Sequence, residues 1–419
     1  MKVLWVTNIP FDYHLELLGL STVVASGSWL CAAYEAAKTD PNIQLHIVTV
    51  ANVRDVLVGE KNGHLFYVLP QSEALEYDIT SDSHLKEWEY LRERVSPDIV
   101  VIWGTEKRFA YLALKVMQNI PIAIYIQGVI SSIYRSYYYG VPHKYIKYTL
   151  RDRIDLMNRY STYNTFKRQV ILEQKMLKMA TAVIVESDWC EDMCRSVNNN
   201  LIVYRNSLPI RAVFRSKKWS LDSMSRHTVF TNAGGYPIKG HHILFEAIGI
   251  VKQIFPDVKC FVPGPDIELF SGIKRRTGYI QLLFDIIRKY SLENNVIYTG
   301  VLDGDRMVEY LSNSNVYVMP STIENHSASL IEAMFVGTPC VSSLVGGTAS
   351  IIRHGINGFL YDSLDAISLA GYIIRIFEND NLACSFSKEA LKIRIDRQSD
   401  FGHEMTNICR KLISDSKCM

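Results

Sequence analysis

The sequence predicts an α/β protein built as two doubly wound parallel-sheet domains, and three observations carry that prediction. The chain has 419 residues, too many for one ordinary core and natural for two domains of roughly 200 residues each. Short β-branched and aromatic runs alternate with longer segments of helical period, the pattern of strands joined by crossover helices. The pattern also restarts once. Around 208–227, Pro209, the run Arg215-Ser216-Lys217-Lys218 and a Ser-rich stretch precede a new apolar run, VFTNAGG. The expected boundaries are therefore 1–212 and 213–400.

In the first half the strand candidates, in order, are 3–7, 44–50, 64–69, 98–103, 122–126, 182–186 and 201–204. In the second they are 228–232, 258–262, 296–299, 316–319, 339–342 and 358–361. Several are almost wholly apolar, as strands covered on both faces must be. Open sheets of this kind bind ligands beyond the carboxyl ends of their strands, so two such edges facing one another are expected to form a cleft for two substrates. The final segment, 401–419, reads as an amphipathic helix.

Bulk composition narrows the function. A net charge of +2 excludes a polyelectrolyte binder and leaves only local patches for electrostatic work. Eight cysteines occur, mostly single and among apolar residues. Cys190 and Cys194 can share a helix face but lack further Cys or His at zinc spacing, so no metal site is expected. Buried free thiols suit a reducing compartment. The apolar N-terminus is interrupted by Asp12, His14 and Glu16, unlike a signal peptide. No run reaches the roughly 18 apolar residues of a membrane span. The expected location is cytoplasmic, with contact to a membrane surface left open.

The densest group of polar signals is PSTIENHSASLIEAMFVGTPCVSS, residues 320–343. A strand ends at Pro320, a short loop follows, and a helix begins near Ser327 among small and hydroxyl residues. Its free N–H groups and positive dipole end can hold a phosphate. Glu324 precedes that helix and Glu332 lies in its second turn, placing two carboxylates near one phosphate site. A carboxylate can accept hydrogen bonds from vicinal ribose or sugar hydroxyls, or stabilise developing positive charge. Upstream, Asn232-Ala233-Gly234-Gly235 closes a strand and Lys239-Gly240 opens the next helix, a Gly-rich turn with a Lys suited to phosphate. Gly264 and Gly300 end two further strands and leave room for a flat base and a ribose. Gly346-Gly347 and Gly355-Ile356-Asn357-Gly358 supply turns at the same edge.

These residues, with Ala333-Met334 and Gly337-Thr338-Pro339, follow one another over about 130 residues in the order of a known family. The second half resembles the retaining GT-B glycosyltransferases of family 4 (glycosyl transferases group 1). The resemblance implies a GT-B fold, a nucleotide-sugar donor linked to uridine or guanosine diphosphate, no other cofactor and no metal. It implies that Lys239 pairs with the donor diphosphate and that amides near Ser327, Ala328 and Ser329 cradle it. Glu332 would hold the ribose hydroxyls and Glu324 the transferred sugar, with Gly235, Gly264, Gly300 and Asn325 lining the site. Configuration at the sugar would be kept, the departing phosphate taking the acceptor's proton. The C-terminal helix would pack back on the first domain.

The sequence departs from that pattern in places. An Arg expected five or six residues before the Lys is replaced by Gly234 or Ala233, and position 325 is Asn rather than Gly. In the first half Gly27, in ASGSW, is the expected counterpart of a Gly-rich turn near phosphate or acceptor. The family's His after a central strand is replaced by Gln127, which can bond a sugar hydroxyl but cannot act as a base. Trp103 could stack on a sugar face and Glu106 could orient or deprotonate the acceptor hydroxyl.

Residues 134–168 hold eight Lys or Arg against two Asp, with eight Tyr. A basic aromatic face suits anionic lipid headgroups, and the resemblance implies acceptors that are glycans or lipid-linked, in polysaccharide, capsule or glycolipid assembly. No nucleic-acid motif accompanies the patch. Two other functions fit the same residues: a nucleotide-sugar epimerase that needs no acceptor, and a non-catalytic nucleotide-sugar-binding protein.

Overall fold

In the computed structural model the apolar runs are strands of two sheets. The structure describes residues 1–20, 28–71, 84–149, 152–154, 161–231, 234–267, 277–396 and 401–417. The first sheet comprises β1 (Lys2–Thr7), β2 (Gln44–Ala51), β3 (Leu57–Lys61), β4 (His64–Pro70), β5 (Ile99–Trp103), β6 (Ile122–Tyr125), β7 (Ala182–Val185) and β8 (Ile202–Arg205). Their order is β3-β4-β2-β1-β5-β6-β7-β8. Every pairing is parallel except the β3–β4 hairpin at the edge. Strand β3, LVGEK, escaped the sequence reading because it is half exposed and lacks an apolar run. Its signal was Asn62-Gly63, both at positive φ as a tight hairpin turn requires.

The second sheet comprises β9 (Ser225–Thr231), β10 (Lys259–Val262), β11 (Val296–Tyr298), β12 (Ser314–Met319), β13 (Cys340–Ser343) and β14 (Phe359–Tyr361). It runs β11-β10-β9-β12-β13-β14, with all pairings parallel. Strand order reverses at β1–β5 in the first sheet and at β9–β12 in the second. Those switch points are where chain ends diverge and leave a crevice.

The chain divides into two compact units, one of residues 1–134, 162–209 and 399–419, the other of 135–161 and 210–398. The second unit thus takes in 135–161 as well as 210–398. Val141 and Tyr145 are buried in that unit's core. The Tyr145 hydroxyl donates to Asp285 at 2.7 Å, and the Asp152 carboxylate accepts from the Gly278 amide at 3.0 Å, capping the helix Gly278–Lys289. No periodicity could announce this, since the partners lie more than a hundred residues away. The helix Phe401–Lys417 lies on the first unit: Phe401, Met405, Cys409 and Leu412 pack with Trp5, Ala33 and Ala37. The backbones touch closely there, because a Cβ on Gly402 would sit 2.4 Å from the Ala36 carbonyl oxygen.

Candidate functional site

At the switch point of the second unit two loops are pressed together. After β9 the short turn Pro237–Lys239 ends at Gly240, which has φ of 70° and starts the helix His241–Val251. A Cβ on Gly240 would lie 1.8 Å from the carbonyl oxygen of Pro320, at the end of β12. Only glycine permits both that backbone and that approach. The Thr322 amide donates to the Ile238 carbonyl at 2.8 Å, tying the loops a second time. The Glu324 backbone is fixed from the other side: the Gly347 amide donates to its carbonyl at 3.1 Å, and a Cβ on Gly346 would lie 1.9 Å from the same oxygen.

This packing brings Lys239 and Glu324 into an ion pair, Nζ to Oε1 at 2.8 Å, with the Ser321 hydroxyl donating to the same oxygen at 2.8 Å. Burial disfavours the ammonium, yet the adjacent carboxylate outweighs it and holds Lys239 above the usual lysine range. The site therefore keeps a fixed cation beside a helix start. That helix, Ala328–Val336, is capped by Ser327, whose hydroxyl accepts from the Leu330 amide at 3.3 Å. The amides of Ala328 and Ser329, in its first turn, have no carbonyl one turn back and mark its positive end. Asn325 is buried in the loop between Glu324 and the cap.

Glu332, on the same helix, is only 7% exposed. Burial raises its pKa, and the Arg211 guanidinium opposes that rise. Arg211 Nε and Nη2 both donate to Oε1, at 3.1 and 2.8 Å. Sequence reasoning missed Arg211 because it lies in the connecting segment, with no motif around it. Gly264 and Gly300 bond each other, amide to carbonyl at 2.8 Å, and a Cβ on either, or on Gly235, would meet no atom within 4 Å.

The switch point of the first unit gathers a smaller polar group. Asn8, just past β1, donates its amide to the Glu106 carboxylate and, at 2.7 Å, to Gln127 Oε1. Glu106 and Gln127 follow β5 and β6, which lie side by side in register, so the sheet itself places them together. Asn8 had no signal beyond its position at a strand end. Trp103 requires a correction. It is 1% exposed, stacked on Tyr125 at 4.5 Å and edge-on to Trp5 at 4.9 Å, so its ring is core and offers no face to a sugar. On β5 it points to the face covered by the helices Ser28–Ala37 and Phe401–Lys417. Gly27 lies outside the described residues. Among the described residues no group of three or more His, Cys, Asp or Glu could hold a metal ion, and no helix is long and apolar enough to cross a membrane.

Two doubly wound α/β units, the second with a Lys–Glu pair and a helix start at its switch point, are the architecture that comparison with known proteins identifies. Residues 216–393 match the family Glycosyl transferases group 1. Over 186 residues the chain is 24% identical to the sucrose synthase of Melioribacter roseus, covering 43% of this chain and 24% of that protein. Over 147 residues it is 34% identical to the D-inositol 3-phosphate glycosyltransferase of Acidothermus cellulolyticus, covering 34% of this chain and 31% of that protein. The matched stretches thus span about a quarter to a third of these curated relatives. Among solved structures, sucrose-phosphate synthase from Thermosynechococcus elongatus is similar with a TM-score of 0.68 at 17% identity, covering 99% of this chain and all of that one. Anabaena HepE in complex with UDP and glucose is similar with a TM-score of 0.68 at 16% identity, covering 98% and 100%. At such identities the likeness is one of fold, and that fold is GT-B.

Proposed function

We propose that this chain is a retaining glycosyltransferase that moves a hexose from a UDP- or GDP-linked donor to a glycan or lipid-linked acceptor, in cell-surface polysaccharide or glycolipid assembly. One observation carries the reading: Lys239, Glu324, Glu332 and the start of the helix Ala328–Val336 converge at one switch point, inside the stretch that matches the glycosyl transferase family.

Lys239 and the amides of Ala328 and Ser329 stabilise the charge that grows on the leaving diphosphate, work that fixed donors in a water-poor site perform well. Breaking the Lys239–Glu324 pair on donor binding gives each partner a new task. The ammonium turns to phosphate and the carboxylate to the sugar near its reacting carbon. Glu332 accepts from the ribose hydroxyls. In the first unit Glu106, held with Gln127 by Asn8, orients the acceptor hydroxyl. The UDP, glucose and UDP-glucose bound to HepE support a uridine donor.

The chemistry suits the cytoplasmic side of a membrane, with peripheral contact through 134–168. Although Tyr145 is buried, Tyr139, Lys144, Lys147 and Tyr148 are exposed and keep a basic aromatic strip. Equal recovery of wild type and a charge-reversed 144–153 variant with anionic liposomes rules the strip out as a contact. A thermal-shift panel of nucleotides and nucleotide sugars tests the main reading, since a bound ligand raises stability by mass action. UDP, GDP or one of their sugars is expected to raise the melting temperature of the wild type and not that of Glu332→Ala. A wild type that responds to none refutes it.

A further inference from the structure

Glu332 and Arg211 are paired in an unusual way. A guanidinium facing a carboxylate commonly bridges both oxygens. Here Nε and Nη2 converge on Oε1 at 3.1 and 2.8 Å. Among the described residues no hydrogen bond reaches the other oxygen, Oε2. The guanidinium is itself held in place, its carbon 4.7 Å from the centre of the fully buried Phe214 ring, on the turn Ala212–Arg215.

We propose that Arg211 is a positioning residue for nucleotide binding: it occupies one oxygen of Glu332 and presents the other to the vicinal hydroxyls of a ribose. This rests on the reading of Glu332 as the ribose carboxylate. A vicinal diol offers two O–H donors about 3 Å apart, and one carboxylate oxygen with two lone pairs can accept both. An isolated buried carboxylate could rotate or take up a proton. A guanidinium stacked on a ring restrains that rotation, and its charge opposes protonation.

The electrostatics agree with the geometry. Burial pushes the Glu332 pKa up and Arg211 is the group that opposes it. Tyr317 on β12 and Cys340 on β13 are buried and pushed far above their ordinary values, so both stay neutral. Other charges on the packed elements have partners of their own. Arg306 lies 3.6 Å from Glu309 and Lys392 2.7 Å from Glu389. Arg215 stacks on Phe335 at 4.9 Å, and Arg394 donates to the carbonyls of Phe335, Phe214 and Lys217. Arg211 is therefore the cation that opposes the effect of burial on Glu332.

Titration calorimetry of the full chain with UDP and GDP, and with their 2′-deoxy counterparts, tests this. Wild type, Arg211→Met and Arg211→Lys are compared at about pH 6 and about pH 8.5. The wild type is expected to bind the ribonucleotide with little pH dependence and the deoxynucleotide less well. In Arg211→Met, whose side chain still covers Phe214, ribonucleotide affinity falls with acidity, by up to about tenfold per pH unit below the carboxyl pKa. The preference for ribose disappears with it, and Arg211→Lys restores both in part. If Arg211→Met keeps the wild-type pH profile and ribose preference, or binds more tightly, the proposal is overturned while nucleotide binding stands. If the wild type binds no nucleotide, the broader reading fails instead. Unliganded melting curves separate either result from a folding defect.

Discussion

Gly240→Ala probes the contact that builds the proposed donor site. Its φ of 70° lies in the left-handed region, which costs an L-residue about 1–2 kcal/mol. The added Cβ would lie 1.8 Å from the Pro320 carbonyl oxygen. Relieving that overlap moves backbone on one side or the other, and overpacking of this kind costs about 1–3 kcal/mol more. The expected loss is then roughly 2–5 kcal/mol, or about 5–15 °C in melting temperature for a unit of this size. Calorimetric melting with and without UDP or GDP measures it, and the nucleotide-induced shift should shrink as Lys239 and Glu324 move apart. Gly235→Ala is the control, because a Cβ there meets nothing within 4 Å; a change of less than about 1 kcal/mol is expected. A Gly240→Ala protein that melts with the wild type and keeps its nucleotide shift refutes the reasoning.

Other outcomes follow from the same geometry. Glu324→Gln should abolish sugar transfer while leaving nucleotide affinity nearly intact; wild-type turnover of a radiolabelled nucleotide sugar would contradict its role. Lys239→Met should weaken UDP or GDP by roughly tenfold to a hundredfold, since hydrogen bonds to charged groups contribute about 1.5–3 kcal/mol, and should leave the bare nucleoside unaffected. Because the folded Lys239 pKa lies above the ordinary value, its pair with Glu324 is complete below the unfolded lysine pKa and is lost only as pH rises through the higher folded one. Wild-type affinity measured by calorimetry should accordingly be flat on the mildly alkaline side of neutrality. Burial lowers His14 and His242 from 6.5 to about 4. The unfolded chain then binds more protons between those values, so stability falls as pH drops across that window. Urea midpoints should fall less steeply with acidity in His14→Gln and His242→Gln than in wild type, and equal slopes would count against it.

Much of this was legible in the sequence, for physical reasons that can be named. Parallel strands covered on both faces must be apolar, so runs such as 98–103 and 316–319 declare themselves. Lys239 and Glu324 each sit just past such a strand, and the switch-point rule places both at one edge. Where two backbones touch, glycine is required, which is why Gly240 and Gly346 carried signal. Other features had no local code. Trp103 at a strand end reads equally as ligand platform or core, and only the stacking of Tyr125 and Trp5 decides. Arg211 reaches Glu332 across 121 residues of chain, and Asn8 reaches Gln127 across 119. The segment 134–168 read as a basic aromatic face because composition cannot reveal that Tyr145 and Asp152 anchor part of it to the helix Gly278–Lys289.

The most direct test of the donor site is calorimetric titration of UDP, GDP and UDP-glucose into wild type and Glu332→Ala. Saturable binding by the wild type, weakened at least about tenfold in a Glu332→Ala protein that still melts cooperatively, is predicted, because a lost pair of hydrogen bonds to a carboxylate costs about 1.5–3 kcal/mol or more. Equal affinity in the two proteins, or no binding by the wild type, would contradict it.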